Sequence, residues 1–251
     1  MTPAELGFRM PAEWEPHTAT WLTWPRREGI SFPAIYDRIP PVFASMVRAI
    51  TPYEEVHINV WDELMELEAK SLLHDHRILN EQVYFHHFQA YEPWVRDHGP
   101  LFVVNETSRA VTNWDYNAWG GKYPPYDLDD QIPNQIAKFR SLERFDPEMI
   151  LEGGSIDVNG SGALLATESC LLNPNRNPDL SKREIEQRLR DYLGATNILW
   201  LEAGIVGDDT DGHVDDLARF VDPHTIMVAV EEDSSDENYD VLKENLKRLQ
   251  S

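Results

Sequence analysis

The sequence predicts an α/β fold built from a repeated strand-strand-helix-strand module, and three observations carry that prediction. Segments with the two-residue period of strands and the 3.6-residue period of helices alternate in one fixed order from residue 101 onward. No Ser/Gly linker or low-complexity stretch divides the chain, so residues 1–251 read as a single domain. Apolar residues make up 41% of the chain and eight Trp are spread along it, a composition that buries a core and argues against disorder.

The first module opens with a hairpin over 101–104 and 109–114, continues with a helix over 128–142 and closes on a strand at 149–151. The order then repeats: a strand at 155–158, the Asn159-Gly160 turn, a strand at 163–167, a helix over 181–193 and a strand at 197–201. That helix starts with Ser181 and Glu184 at the spacing of a capping box, in which each side chain takes a backbone N–H that the helix start leaves unpaired. A third round has strands at 217–221 and 225–230 and a helix from about 238 to 249. It lacks a closing strand, so the chain is expected to be incomplete at its C-terminus, with an uncovered module face that would favour association into a homo-oligomer. The acidic run Glu231, Glu232, Asp233, Asp236 and Glu237 precedes the last helix and reads as a solvated face at a helix N-terminus.

Charge narrows the function classes. With 22 basic and 44 acidic residues the formal net charge is -22, which repels phosphate backbones and argues against nucleic-acid binding. Such charge usually serves solubility, but if it lined a cleft it would draw in small cations. Cys170 is the one cysteine, so neither an intramolecular disulfide nor a thiolate metal cluster can form, and a reducing cytoplasm fits best. No signal peptide pattern and no apolar run long enough to span a membrane is present, and the chain reads as a soluble cytoplasmic protein.

Three segments carry chemistry. Trp94-Val95-Arg96-Asp97-His98-Gly99-Pro100 falls between strand patterns, where a loop is expected. In isolation Asp97 reads as a partner of Arg96 or a turn cap. Glu152-Gly153-Gly154 interrupts a strand run, and paired glycines allow a bulge or a close backbone approach that re-aims the carboxylate. Asp208-Asp209-Thr210-Asp211-Gly212-His213-Val214-Asp215-Asp216 gathers five carboxylates around one histidine, an arrangement that calls for a positive partner. A calcium or magnesium ion would serve, although the calcium-loop spacing is absent. A guanidinium would also serve, since carboxylates accept pairs of parallel N–H bonds from that planar group. The carboxylates would then favour protonated His213 and poise it for proton transfer near neutral pH.

Taken in order, the motifs WVRDHGP, NAWGGKY, EGGS, TESCLLNPNRNP and GDDTDGHVDD, with MPAEWEPHTATWLTWP near the start, resemble the agmatine deiminase family, which is related to bacterial peptidylarginine deiminases. The resemblance implies a pentein fold, an α/β propeller of strand-strand-helix-strand modules around a central site. It also implies hydrolysis of agmatine to N-carbamoylputrescine and ammonia, a step toward putrescine, with no metal and no organic cofactor. Carried over by position, Asp97 and Asp215 would clamp the guanidinium and His213 would act as general acid and base. Glu152 would hold the substrate nitrogen and the histidine, Trp94 and Trp119 would wall the pocket, and Gly120 and Gly121 would let a loop close over it.

The family's nucleophile is a cysteine near the C-terminus after a glycine-rich stretch, and no residue of this sequence matches it. Cys170, flanked by apolar residues just past a strand, reads as buried and inert. The rival readings are a non-catalytic pentein that binds a cationic ligand or partner, a peptidylarginine or arginine deiminase, and a metal-dependent hydrolase built on the 208–216 cluster.

Overall fold

The computed structural model describes residues 1–250. The N-terminal part, for which the repeat gave no expectation, forms a parallel sheet of β1 (Ala19–Thr23), β2 (Glu55–Asn59) and β3 (Val83–His86), joined by α1 (Ile39–Ile50) and α2 (Glu63–Asp75). Pro40 and Pro41 sit in the first turn of α1, where the missing N–H groups cost no intrahelical bond. Asp62 caps α2 by accepting from the Met65 amide. One face of the sheet buries Val56 and Ile58 against Val47 of α1 and Ala69 and Leu73 of α2.

A single helical turn, α3 (Val95–His98), leads into the module that the periodicity had placed first. The expected loop at 94–100 is therefore partly helical, because the amides of Asp97 and His98 both bond back to the Trp94 carbonyl. The hairpin of β4 (Leu101–Val104) and β5 (Arg109–Thr112) forms as expected. After it come α4 (Ala118–Gly121), α5 (Asp127–Asp130) and α6 (Ile132–Arg140), so the single helix expected over 128–142 is two pieces. The closing strand is β6 (Glu143–Phe145), parallel to β5, and not the 149–151 segment. Met149 and Leu151 are apolar because they are core residues, and the segment makes only one isolated bridge, Asp115 to Ile150.

The next module matches the expected order, with β7 (Ile156–Val158), β8 (Ala163–Thr167), α7 (Glu168–Leu171), α8 (Lys182–Leu193) and β9 (Asn197–Leu201). The capping box at Ser181 and Glu184 is present, and Gly194 ends α8 in the left-handed region. The last strands, β10 (Ala218–Asp222) and β11 (Thr225–Val228), pair antiparallel and are followed by α9 (Tyr239–Leu249). Leu242 of α9 packs with Leu201, Val214, Leu217 and Phe220.

Residues 118–121 carry backbone that only a tightly held turn tolerates. Ala118 and Trp119 have φ of 52° and 56°, in the left-handed region that side chains normally avoid. Asn117 accepts from the Gly120 amide and donates to the Asn175 carbonyl, which pins the turn against the 173–177 segment.

Candidate active site

Three chain turns from different sheets meet at one place: α3, the turn Gly153–Ser155 that precedes β7, and the turn Val214–Asp216 that precedes β10. They bring Asp97 and Glu152 together with the neighbouring pair His213 and Asp215, although the three segments lie far apart in sequence. The meeting requires glycine at two positions. A Cβ on Gly153 would lie 2.0 Å from the Arg96 carbonyl oxygen, and one on Gly154 would lie 2.6–2.8 Å from His213 Nδ1, Asp215 Oδ2 and Asp97 Oδ1. The expected bulge at Glu152-Gly153-Gly154 is thus a short helical turn, and its glycines do allow the close approach inferred from sequence.

Asp97 is held at both oxygens: Oδ1 accepts from the Gly154 amide at 3.1 Å and Oδ2 from Trp119 Nε1 at 3.1 Å. Burial, and then the charges of Glu152 and Asp215, lift its carboxyl to about 7 against these hydrogen bonds. Asp215 is raised to about 6, by burial and then by Asp216. His213 Nδ1 lies 3.6 Å from Asp97 Oδ1 and 3.9 Å from Asp215 Oδ1. Both carboxylates face a cavity of about 570 Å³ lined also by Trp94, Trp119, Tyr123 and Asp216.

His213 departs from expectation in charge. Its pKa is lowered to about 4, by burial first and by Arg176 second, which outweigh the nearby Asp208 and Asp211. The imidazole is therefore neutral at pH 7, where the local sequence suggests that the carboxylates would favour its protonated form.

Arg176, which the sequence reading missed, is the second cause after burial. Its Nε donates to Glu152 Oε1 at 2.7 Å, Nη1 to Asp211 Oδ2 at 2.6 Å, and Nη2 to the Thr210 carbonyl at 2.9 Å. Arg176 is 2% exposed, and its guanidinium links the 152 turn to the 208–216 loop. Its only sequence signal was an arginine between asparagines in the NPNRNP stretch. Asp211 is lowered to about 2: burial opposes this, but hydrogen bonds from Lys122, Asn175 and Arg176 prevail. The five carboxylates of the loop thus divide. Asp211 is neutralised internally, Asp208 accepts from Thr210 N and Oγ1 and shapes the turn, and Asp209, Asp215 and Asp216 line the cavity.

The remaining assignments separate by depth. Glu152 is fully buried, and its Oε2 lies 4.0 Å from His213 Nε2, behind the imidazole as seen from the cavity lining. Trp94 is 41% exposed and donates from Nε1 to Ser31 Oγ, whereas Trp119 is buried. Gly120 packs on Asn175 and Arg176, leaving no space for a side chain, while Gly121 is open. Cys170 lies in α7, is fully buried and does not line the cavity, and its thiol is pushed well above its ordinary value by burial and then by Glu152.

A family model for Porphyromonas-type peptidyl-arginine deiminases matches residues 9–251. An agmatine deiminase of Pseudomonas aeruginosa (strain LESB58) is 41% identical over 249 residues, which cover 95% of this chain and 64% of the relative. A Legionella pneumophila relative is 38% identical over 252 residues, 99% of this chain and 70% of its own length. Among solved structures, the agmatine deiminase of Enterococcus faecalis has the same α/β fold, with a TM-score of 0.89 and 34% identity across 99% of this chain and 67% of that one. The chain spans about two thirds of the length of these relatives.

Proposed function

Since the chain belongs to the Porphyromonas-type peptidyl-arginine deiminase family, we propose that its cavity binds the guanidinium of agmatine and orients it for hydrolysis to N-carbamoylputrescine and ammonia. The observation that carries this reading is the pairing of Asp97 and Asp215 about His213 at a cavity lined by further carboxylates. Two buried carboxylates whose pKa values are raised gain most from a planar cation that donates two N–H bonds to each. A bound guanidinium favours their ionised forms and replaces the water lost on burial.

In this reading the clamp fixes the guanidinium carbon, and neutral His213 is ready to take a proton and pass it to the departing ammonia. Glu152, anchored by Arg176, lies 4.0 Å behind the imidazole. The four sheets are modules of one pentein domain, an α/β propeller around this site, and the reaction serves putrescine formation in the cytoplasm. The covalent route also requires a thiolate at the guanidinium carbon. Cys170 does not meet that requirement, being in the core and protonated.

The burial of Cys170 therefore favours a second reading, cation binding without turnover by these 251 residues. Calorimetry with agmatine tests the shared premise: Asp97→Asn and Asp215→Asn should each weaken binding by roughly 1.5–3 kcal/mol, the worth of a hydrogen bond to a charged group. Unchanged affinity in both variants would reject the clamp. Ammonia release from agmatine separates the two readings, since sustained release by this chain would make Cys170 or a non-thiol route the reactive agent.

A further inference from the structure

His213 has a second face. While Nδ1 looks toward the clamp carboxylates, Nε2 points into the protein, 4.0 Å from Glu152 Oε2. Neither atom has a hydrogen-bond partner, although Glu152 is 0% and His213 2% exposed. Buried polar groups are almost always paired, so two orphans facing each other call for an occupant. Cys170 is the third member of this group: one donor atom each from Glu152, Cys170 and His213 lie within 4.8 Å of one another. Arg176 takes the other carboxylate oxygen of Glu152, which leaves Oε2 as the atom turned to this space.

We propose that Glu152, Cys170 and His213 form a binding site for a zinc-class divalent cation, on the side of the imidazole away from Asp97 and Asp215. A thiolate, an imidazole and a carboxylate make the donor set of zinc, whereas magnesium and calcium take oxygen alone. Tetrahedral zinc with these donors sets them about 3.3–3.6 Å apart. The three side chains therefore draw together by an ångström or so on binding, and the Cys170 thiol gives its proton to the buffer.

Occupancy opposes the activity proposed above, and this half of the inference rests on that reading. A cation on Nε2 leaves the imidazole proton on Nδ1, directed at Asp97 and Asp215, so His213 can no longer accept a proton there. The added charge also partly neutralises the clamp. Metal and agmatine thus weaken each other's binding by the same factor.

Cobalt(II) is the probe. Titration of the 251-residue chain should give one equivalent bound, tetrahedral visible bands and a near-ultraviolet thiolate-to-cobalt band that zinc abolishes by displacement. Because Cys170 is the single cysteine, the thiolate band on the unaltered protein reports this site and needs no variant. Cys170→Ser should remove the band and weaken zinc binding by more than the roughly 10–100-fold that loss of an outer hydrogen-bond partner costs. Agmatine calorimetry on zinc-loaded protein should show reduced affinity. Absence of the thiolate band at saturating cobalt, or cobalt bound through oxygens alone, would overturn the site. Equal agmatine affinity with and without zinc would overturn its inhibitory role. Failure of the metal-free chain to bind agmatine would reject the clamp and leave the cobalt result standing by itself.

Discussion

Gly154→Ala probes the clamp without removing any of its functional groups. The glycine lies outside the left-handed region, so alanine meets no backbone strain there, and its whole effect comes from one methyl group. That methyl would sit 2.6 Å from His213 Nδ1 and 2.8 Å from both Asp215 Oδ2 and Asp97 Oδ1. Each group must retreat by roughly 0.6–0.8 Å to restore ordinary contact, a displacement of the size that disables preorganised sites. The Gly154 amide also donates to Asp97, so the shift strains the bond that orients that carboxylate. If each carboxylate loses one of its charge-assisted hydrogen bonds to the guanidinium, at about 1.5–3 kcal/mol apiece, affinity falls about 100- to 20,000-fold. The protein itself should lose about 1–3 kcal/mol, the usual cost of overpacking, and remain folded. Calorimetry with agmatine, alongside urea denaturation, measures the two effects separately. Affinity within about threefold of the parent in a folded variant would refute the geometry of the clamp.

Three further predictions follow from burial and charge. The Asp97 carboxyl titrates near about 3.9 when unfolded and at about 7 when folded. Between those values the folded chain keeps a proton that the unfolded chain has released, so wild type should lose stability relative to Asp97→Asn as pH rises from about 4 through about 7. Denaturant midpoints of both proteins across that range check the sign, and a flat or rising difference would contradict it. Cys170→Ala should lower stability by about 1 kcal/mol through the small cavity it leaves, with agmatine affinity unchanged in metal-free buffer. Thermal melts and calorimetry read both, and a lost agmatine signal in a folded variant would give Cys170 a direct role in the clamp. Arg176→Met should cost about 3–5 kcal/mol, because it strands the fully buried Glu152 carboxylate. A urea-unfolding loss below about 1 kcal/mol would show that the pair is not what holds the 152 turn to the 208–216 loop.

Most of the fold from residue 101 was legible because local rules act there without much interference. The hairpin at 101–112, the capping box at Ser181 and Glu184 and the strands over 156–167 each follow from period and end chemistry. The 149–151 segment misled because a short apolar run looks the same whether it pairs in a sheet or fills a core. The true closing strand, Glu143-Arg144-Phe145, is half polar and only three residues long. The parallel sheet of β1, β2 and β3 has strands separated by more than twenty residues, so nothing local announces their pairing.

The candidate site divides along the same line. From the sequence alone came the residues themselves: Asp97, Glu152, His213 and Asp215 in motifs of one family, the glycines beside Glu152, and an excess of acid suited to a cation. The tertiary structure decided what those residues are chemically. It set Asp97 beside Asp215, placed Glu152 behind the imidazole, and paired Arg176 with Glu152 and Asp211, not with Asp179 three residues on in the chain. It also lowered the pKa of His213 where the carboxylates next to it in the chain suggested the opposite. The reason is physical: a residue's identity is local, but its protonation depends on desolvation and on charges across space, and both are fixed only when distant turns pack together.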